Sequence, residues 1–136
     1  MSRYMEKAKE LRADTGRHYN CAQSVLIPFA ADAGIDEEAA FRIAANFGGG
    51  MKMGSVCGAV TGGLMALGLL GLDDPSDANA FCRRIKDNHE GCLLCRELLK
   101  MNAERGGQKK PHCDAMVYEA VELAEELSAG QRLTGC

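Results

Sequence analysis

The chain has 136 residues, a formal net charge of −3, 46% hydrophobic and 26% charged residues, and only 5% aromatic residues with no Trp. These values fit one globular domain with an aliphatic, small-residue core and exclude an intrinsically disordered chain. They also exclude a basic nucleic-acid surface, because no Lys/Arg stripe interleaved with aromatic residues is present.

Residues 2–15 predict an amphipathic helix, with Tyr4, Ala8 and Leu11 at helical spacing among Lys, Glu and Arg, and Gly16 as its stop. This opening holds no apolar run followed by a small-residue cleavage site, so it does not read as a secretory leader, and a cytoplasmic location is expected. Asn20 predicts the cap of a second helix that runs through Val25, Leu26 and Phe29 to Gly34. Gln23, three residues on, completes a capping box, and Pro28 inside the pattern calls for a kink or a fresh start. Asp36 caps a third helix, DEEAAFRIAANF, which Gly48, Gly49 and Gly50 stop.

The next stretch, VCGAVTGGLMALGLLGL at residues 56–72, carries no charge. It is short against the roughly 20 residues of a bilayer span, is interrupted by glycines and lacks aromatic or basic flanks, so a buried central helix is expected rather than a membrane helix. Gly54, Gly58 and Gly62 recur every fourth residue, which places them on one helix face and lets another backbone come close. A loop at residues 73–76 leads to a fifth helical stretch at about residues 77–102, broken or bent at Gly91. A last helix begins around Pro111 to Asp114 and continues through Met116, Val117, Ala120, Val121, Ala124 and Leu127, leaving QRLTGC as a loose tail. No alternating run of strand length occurs. The expected architecture is all-α: a single-domain bundle of about five or six helices around the Gly-rich one.

Seven cysteines cannot all pair internally. In a reducing compartment such density points to metal ligands or redox catalysts before structural disulfides, with simple burial as the competing role. Three cysteines fall at predicted helix starts: Cys21 after the Asn20 cap, Cys57 in the first turn of the Gly-rich helix and Cys113 in the first turn of the last helix. Unpaired N–H groups and the helix dipole lower a thiol pKa there from about 8.5. Cys92 and Cys95 form a Cys-x-x-Cys pair that shares a face if it is helical. That pair lacks both the βαβ context of thioredoxin-type motifs and a second Cys-x-x-Cys to complete a zinc ribbon.

The stretch FGGGMKMGSVCGAVTGGLMALGL, residues 47–69, resembles the signature of the redox-active protein family C_GCAxxG_C_C, bacterial and archaeal proteins of about this size. The resemblance covers nearly the whole chain. It places the family cysteines at Cys21 in NCAQSVL, Cys57 in CGAVTG, Cys95 in CRELL and Cys113 in HCDAMV, and implies that these four are the redox-active or ligand-bearing set. Cys82, Cys92 and Cys136 lie outside the pattern. Cys82, beside Phe81, is expected to be structural, Cys92 a secondary ligand or resolving thiol, and Cys136 without a specific role. The family is distantly similar to the helical domain of split-Soret cytochromes, which adds haem-binding segments and a nonhaem iron centre. No Cys-x-x-Cys-His occurs, so covalent haem is not expected. His18, His89 and His112 remain candidate non-covalent ligands against competing surface or capping roles, with His112 beside Cys113 the one to watch.

Two chemistries fit four thiolates. The first is an iron–sulfur cluster or other metal ion held by Cys21, Cys57, Cys95 and Cys113, with Cys92 as an accessory ligand, serving electron transfer. The second is metal-free thiol/disulfide exchange, in which Cys57 attacks, Cys21 or Cys95 resolves, Arg96 adds positive charge and the glycine run leaves the sulfur approachable. A helical interaction protein with merely buried cysteines is a third class. Expected partners are a redox protein or a small thiol or disulfide, together with a homodimer packed through the Gly-faced helix, and neither nucleic acid nor a membrane. Whether the chain is an enzyme stays open, since it has no P-loop, dinucleotide fingerprint or His-Glu-x-x-His helix.

Overall fold

The computed structural model describes residues 2–133, with side chains through Gly130. Seven α-helices follow one another: α1 Arg3–Ala13, α2 Cys21–Ala30, α3 Glu37–Ala44, α4 Gly58–Leu69, α5 Pro75–Asn88, α6 Cys95–Glu104 and α7 Lys109–Leu133. A 3-10 turn at Ala31–Ala33 continues α2, a π-type turn spans Gly50–Gly54, and one isolated antiparallel bridge pairs Val56 with Leu94.

The fold is all-helical, as expected, but the described residues hold more than five or six helices. The stretch at residues 77–102 is two helices, because Glu90 and Gly91 both take positive φ, 56° and 84°, and turn the chain between α5 and α6. Asp74 caps α5 by accepting from the Ser76 N–H at 2.9 Å, so that helix starts at Pro75 inside the expected loop. Likewise α7 starts at Lys109, ahead of the expected Pro111 to Asp114. No helix among the described residues is long and apolar enough to cross a membrane.

Local capping fixes the helix starts. The Asn20 side chain accepts from the Gln23 N–H at 2.7 Å, and the Gln23 side-chain oxygen accepts from the Asn20 N–H at 2.8 Å, completing the capping box. The same two side chains reach across to the end of α3. Gln23 Nε2 donates to the Phe41 carbonyl at 2.9 Å, and Asn20 Nδ2 donates to the Ala45 carbonyl at 3.1 Å, satisfying carbonyls that the ending helix leaves open. α2 runs through Pro28 to Ala30 before tightening into the 3-10 turn.

The core lies in two clusters. The larger gathers Phe29, Val60, Leu67, Phe81, Ile85, Leu98, Met116, Val117 and Val121; the smaller joins Leu11, Ala22, Leu26, Ile27, Ala40 and Ala44 between α1, α2 and α3. Each fully buried large aliphatic or aromatic side chain contributes about 1.5–3 kcal/mol.

The most extensive helix pairing is between α2 and α4. A Cβ on Gly62 would stand 2.7 Å from the Ala22 carbonyl oxygen, and one on Gly58 would stand 3.2 Å from the Ala22 nitrogen. Gly54, expected on the same face, instead ends the π-type turn, so only the latter two of the three spaced glycines face α2. Gly63 faces the Phe81 ring of α5, with no room for a Cβ.

Two glycines of α4 predict effects of opposite sign. Gly62→Ala forces α2 away and is expected to lower unfolding free energy by about 1–3 kcal/mol. Gly68→Ala, where a Cβ meets nothing within 4 Å, is expected to raise it by about 0.5–1 kcal/mol through helix propensity. Urea denaturation of the two variants checks both signs.

Candidate cysteine site

Four chain segments deliver their cysteines to one cavity of about 330 Å³, lined by Cys21, Cys57, Cys95 and Cys113 together with Arg12 and Lys109. Cys21 is the first residue of α2, Cys57 the N-cap of α4 and Cys95 the first residue of α6. Cys113 sits beyond the first turn of α7, because that helix begins at Lys109, so its sulfur lacks the helix N-terminal N–H groups expected to acidify it. The described cysteines are all free thiols.

The Val56 and Leu94 bridge sets two of the four. The Cys57 N–H donates to the Leu93 carbonyl at 2.8 Å, and the Cys95 N–H donates to the Ser55 carbonyl at 2.6 Å. These two bonds tie together the segments that carry Cys57 and Cys95, both of which line the cavity. The chain reaches this bridge through a left-handed turn in which Gly49, Gly50, Met51 and Lys52 have φ of 63°, 66°, 57° and 59°. For Met51 and Lys52 that conformation costs about 1–2 kcal/mol each. Gly50 is needed for space as well, since its Cβ would lie 2.9 Å from the Cys95 Cβ.

Cys92 is not among the residues lining the cavity. It stands in the turn before α6, its sulfur 4.0 Å from the Glu90 carbonyl, so Cys92 and Cys95 do not share a helix face. Cys82, half-buried on α5, packs against the larger core cluster. Cys136 lies outside the described residues.

The four cavity thiols differ in acidity. Cys21 donates a hydrogen bond to the Cys113 sulfur, which holds the Cys21 proton in place and, with burial, pushes that thiol far up. The same bond, aided by the positive charges of Arg12 and Lys109, brings Cys113 down to about 7 against the opposing effect of burial. Burial pushes Cys57 up to about 11, although the Ala59 and Val60 N–H groups offset part of that rise. Cys95 is raised by burial and by the charge of Cys113, with Lys109 acting the other way.

Arg12 is held for this role. Its side chain is only 9% exposed, its Nε donates to Asp114 Oδ1 at 2.6 Å and its Nη1 donates to the Tyr19 carbonyl at 2.9 Å. His112 lines the cavity and is shifted toward the neutral imidazole by burial and then by His89. His89 is engaged outside the cavity lining, its Nε2 2.7 Å from Glu119 Oε1, and His18 is an exposed residue at the cavity. Among the described residues, no three His, Cys, Asp or Glu groups are placed to hold a metal ion.

A model of the family described as "Putative redox-active protein (C_GCAxxG_C_C)" matches residues 19–127. The chain belongs to this family. No curated protein and no solved structure matches it. The region matched to the C_GCAxxG_C_C family holds all four cavity cysteines but begins after Arg12. Sequence reading missed both Arg12 and Lys109. Arg12 is one of several basic residues in α1, and only the packing of that helix against α2 and α7 distinguishes it.

Iodoacetamide labelling followed by peptide mass mapping tests the acidity order. Thiolate is the reacting form, so labelling of Cys113 is expected to rise with pH through a midpoint near 7, while Cys57 stays unlabelled until far more alkaline pH. Arg12→Met is expected to move the Cys113 midpoint upward.

Proposed function

We propose that this redox-active protein works through a dithiol/disulfide couple in which Cys113 is the attacking thiolate and Cys21 the resolving thiol. The observation that carries this reading is the direct Cys21 to Cys113 thiol contact beside the buried Arg12 guanidinium, inside a cavity open to a small reactant. The assignment moves the nucleophile away from Cys57, whose buried thiol keeps its proton at neutral pH.

The chemistry balances without a bound cofactor. The Cys113 thiolate attacks one sulfur of a substrate disulfide, forming a mixed disulfide and releasing the other half as a thiolate. That leaving thiolate takes up a proton. Cys21 then loses its proton to solvent, its sulfur attacks the Cys113 sulfur, and the second half of the substrate leaves as a thiolate. Two electrons pass from the Cys21 and Cys113 dithiol to the substrate, which becomes two thiols, and the protein is left with one disulfide. Run in reverse, the couple oxidises a dithiol. Cys57 and Cys95 border the reacting pair in their thiol forms.

A second reading, electron transfer by an iron–sulfur cluster on Cys21, Cys57, Cys95 and Cys113, draws support from the convergence of these four residues on one cavity.

Anaerobic purification followed by iron and sulfide analysis and an absorption spectrum separates the two. For the dithiol couple, mild oxidation of colourless protein reversibly removes two thiols per chain, and peptide mapping links Cys21 to Cys113. Cys21→Ser then traps the mixed disulfide on Cys113. Cys113→Ser, which removes both the attacking sulfur and the partner of Cys21, abolishes the reversible loss of two thiols. Stoichiometric iron and sulfide with a visible band that bleaches on reduction overturns the proposal in favour of a cluster.

A further inference from the structure

The cysteine cavity carries a second chemical signature that thiol chemistry does not require. Arg12, Arg96 and Lys109 line it, and no Asp or Glu does, although the chain as a whole has a net charge of −3. Asp114 compensates Arg12 at 2.6 Å. The other two cations are not compensated in this way. Among the described residues Lys109 has no carboxylate partner, and the Arg96 guanidinium donates to the Gly54 carbonyl at 3.4 Å rather than to an acid. Positive charge at a concave, low-dielectric wall focuses the field into the opening and raises the local concentration of anions. The floor is apolar, with Leu98, Leu99 and Met116 among its lining residues. A volume of about 330 Å³ lies at the small end of ligand sites.

We infer that the substrate is a small carboxylate-bearing disulfide or its thiol. Its sulfur meets Cys113 and its carboxylate lies toward Lys109 and Arg96. This inference rests on the dithiol reading for its sulfur chemistry, but its anion preference can be tested separately.

The kinetic experiment oxidises the fully reduced native protein with three disulfides of similar size: 3,3′-dithiodipropionate, the uncharged 2-hydroxyethyl disulfide and the dication cystamine. Each rate is divided by the rate of the same disulfide with 2-mercaptoethanol, which removes intrinsic reactivity. The dicarboxylate is expected to exceed cystamine by about tenfold at low ionic strength, with the gap narrowing as salt is added. The binding experiment uses sulfur-free analogues, suberate and 1,6-diaminohexane, in an NMR titration of the reduced protein. Suberate is expected to saturate and the diamine to produce no shifts. Arg96→Glu combined with Lys109→Glu is expected to abolish suberate binding.

Equal normalised rates for anion and cation, or equal binding of suberate and the diamine, overturn the inference. If suberate alone binds but none of the three disulfides links Cys21 to Cys113, the dithiol reading fails while the anion preference stands.

Discussion

Two helix backbones can touch only where no Cβ stands between them, and the contact of α2 with α4 at Gly58 and Gly62 is the constraint on which the cysteine cavity depends. Ordinary helix pairs keep their axes 8–10 Å apart because side chains interdigitate. Removing those side chains lets α4 begin beside the start of α2, where a Cβ on Gly58 would be 3.3 Å from the Cβ of Cys21. Each glycine costs the helix about 1 kcal/mol in intrinsic propensity. Burial of Ala22, Ala59, Val60 and Leu67 along the joined helices offsets that cost.

From this contact outward, each remaining cysteine is placed by a different device. The extended residues after the left-handed turn carry Cys57 and clamp Cys95 through two backbone hydrogen bonds. Cys113 comes from α7, which packs on α1, α2 and α4. Arg12 ties those pieces together, because one buried guanidinium binds Asp114 on α7 and the Tyr19 carbonyl just ahead of α2. The residue that acidifies Cys113 is thus also a bracket between three segments, and structural and chemical roles coincide in one side chain.

Much of the helical framework was legible because its signals are local. The Asn20 and Gln23 box, the Asp36 cap and the uncharged Gly-rich helix all depend on residues within a turn of each other, and the structure contains each of them. The division of the 77–102 stretch was harder to see. Glu90 is a non-glycine residue in left-handed conformation, and its sequence neighbours do not announce it. The exact helix starts mattered more than their existence: a shift of two residues at α7 removes Cys113 from the helix end, and a shift of one makes Cys57 a cap. What local patterns could not convey was that Cys21 would be hydrogen-bonded to Cys113, or that Arg12 would face the pair, since both relations span most of the chain. The four cysteines themselves were picked out by motif resemblance, and their meeting at one cavity is a tertiary fact.

The uneven acidity of the thiols also sets how the fold responds to alkali. In the unfolded chain the cysteines ionise near pH 8.5. Folded Cys57 holds its proton up to about 11, and Cys21 and Cys95 are likewise raised. Above roughly pH 9 the unfolded chain has therefore released protons that the native one retains, and stability falls as pH rises. Cys113 acts in the opposite sense: its folded value is depressed, so its stabilising contribution is complete only above the unfolded pKa and is lost as pH falls through about 7. Three thiols against one make the cysteine cavity a site of weakness in base.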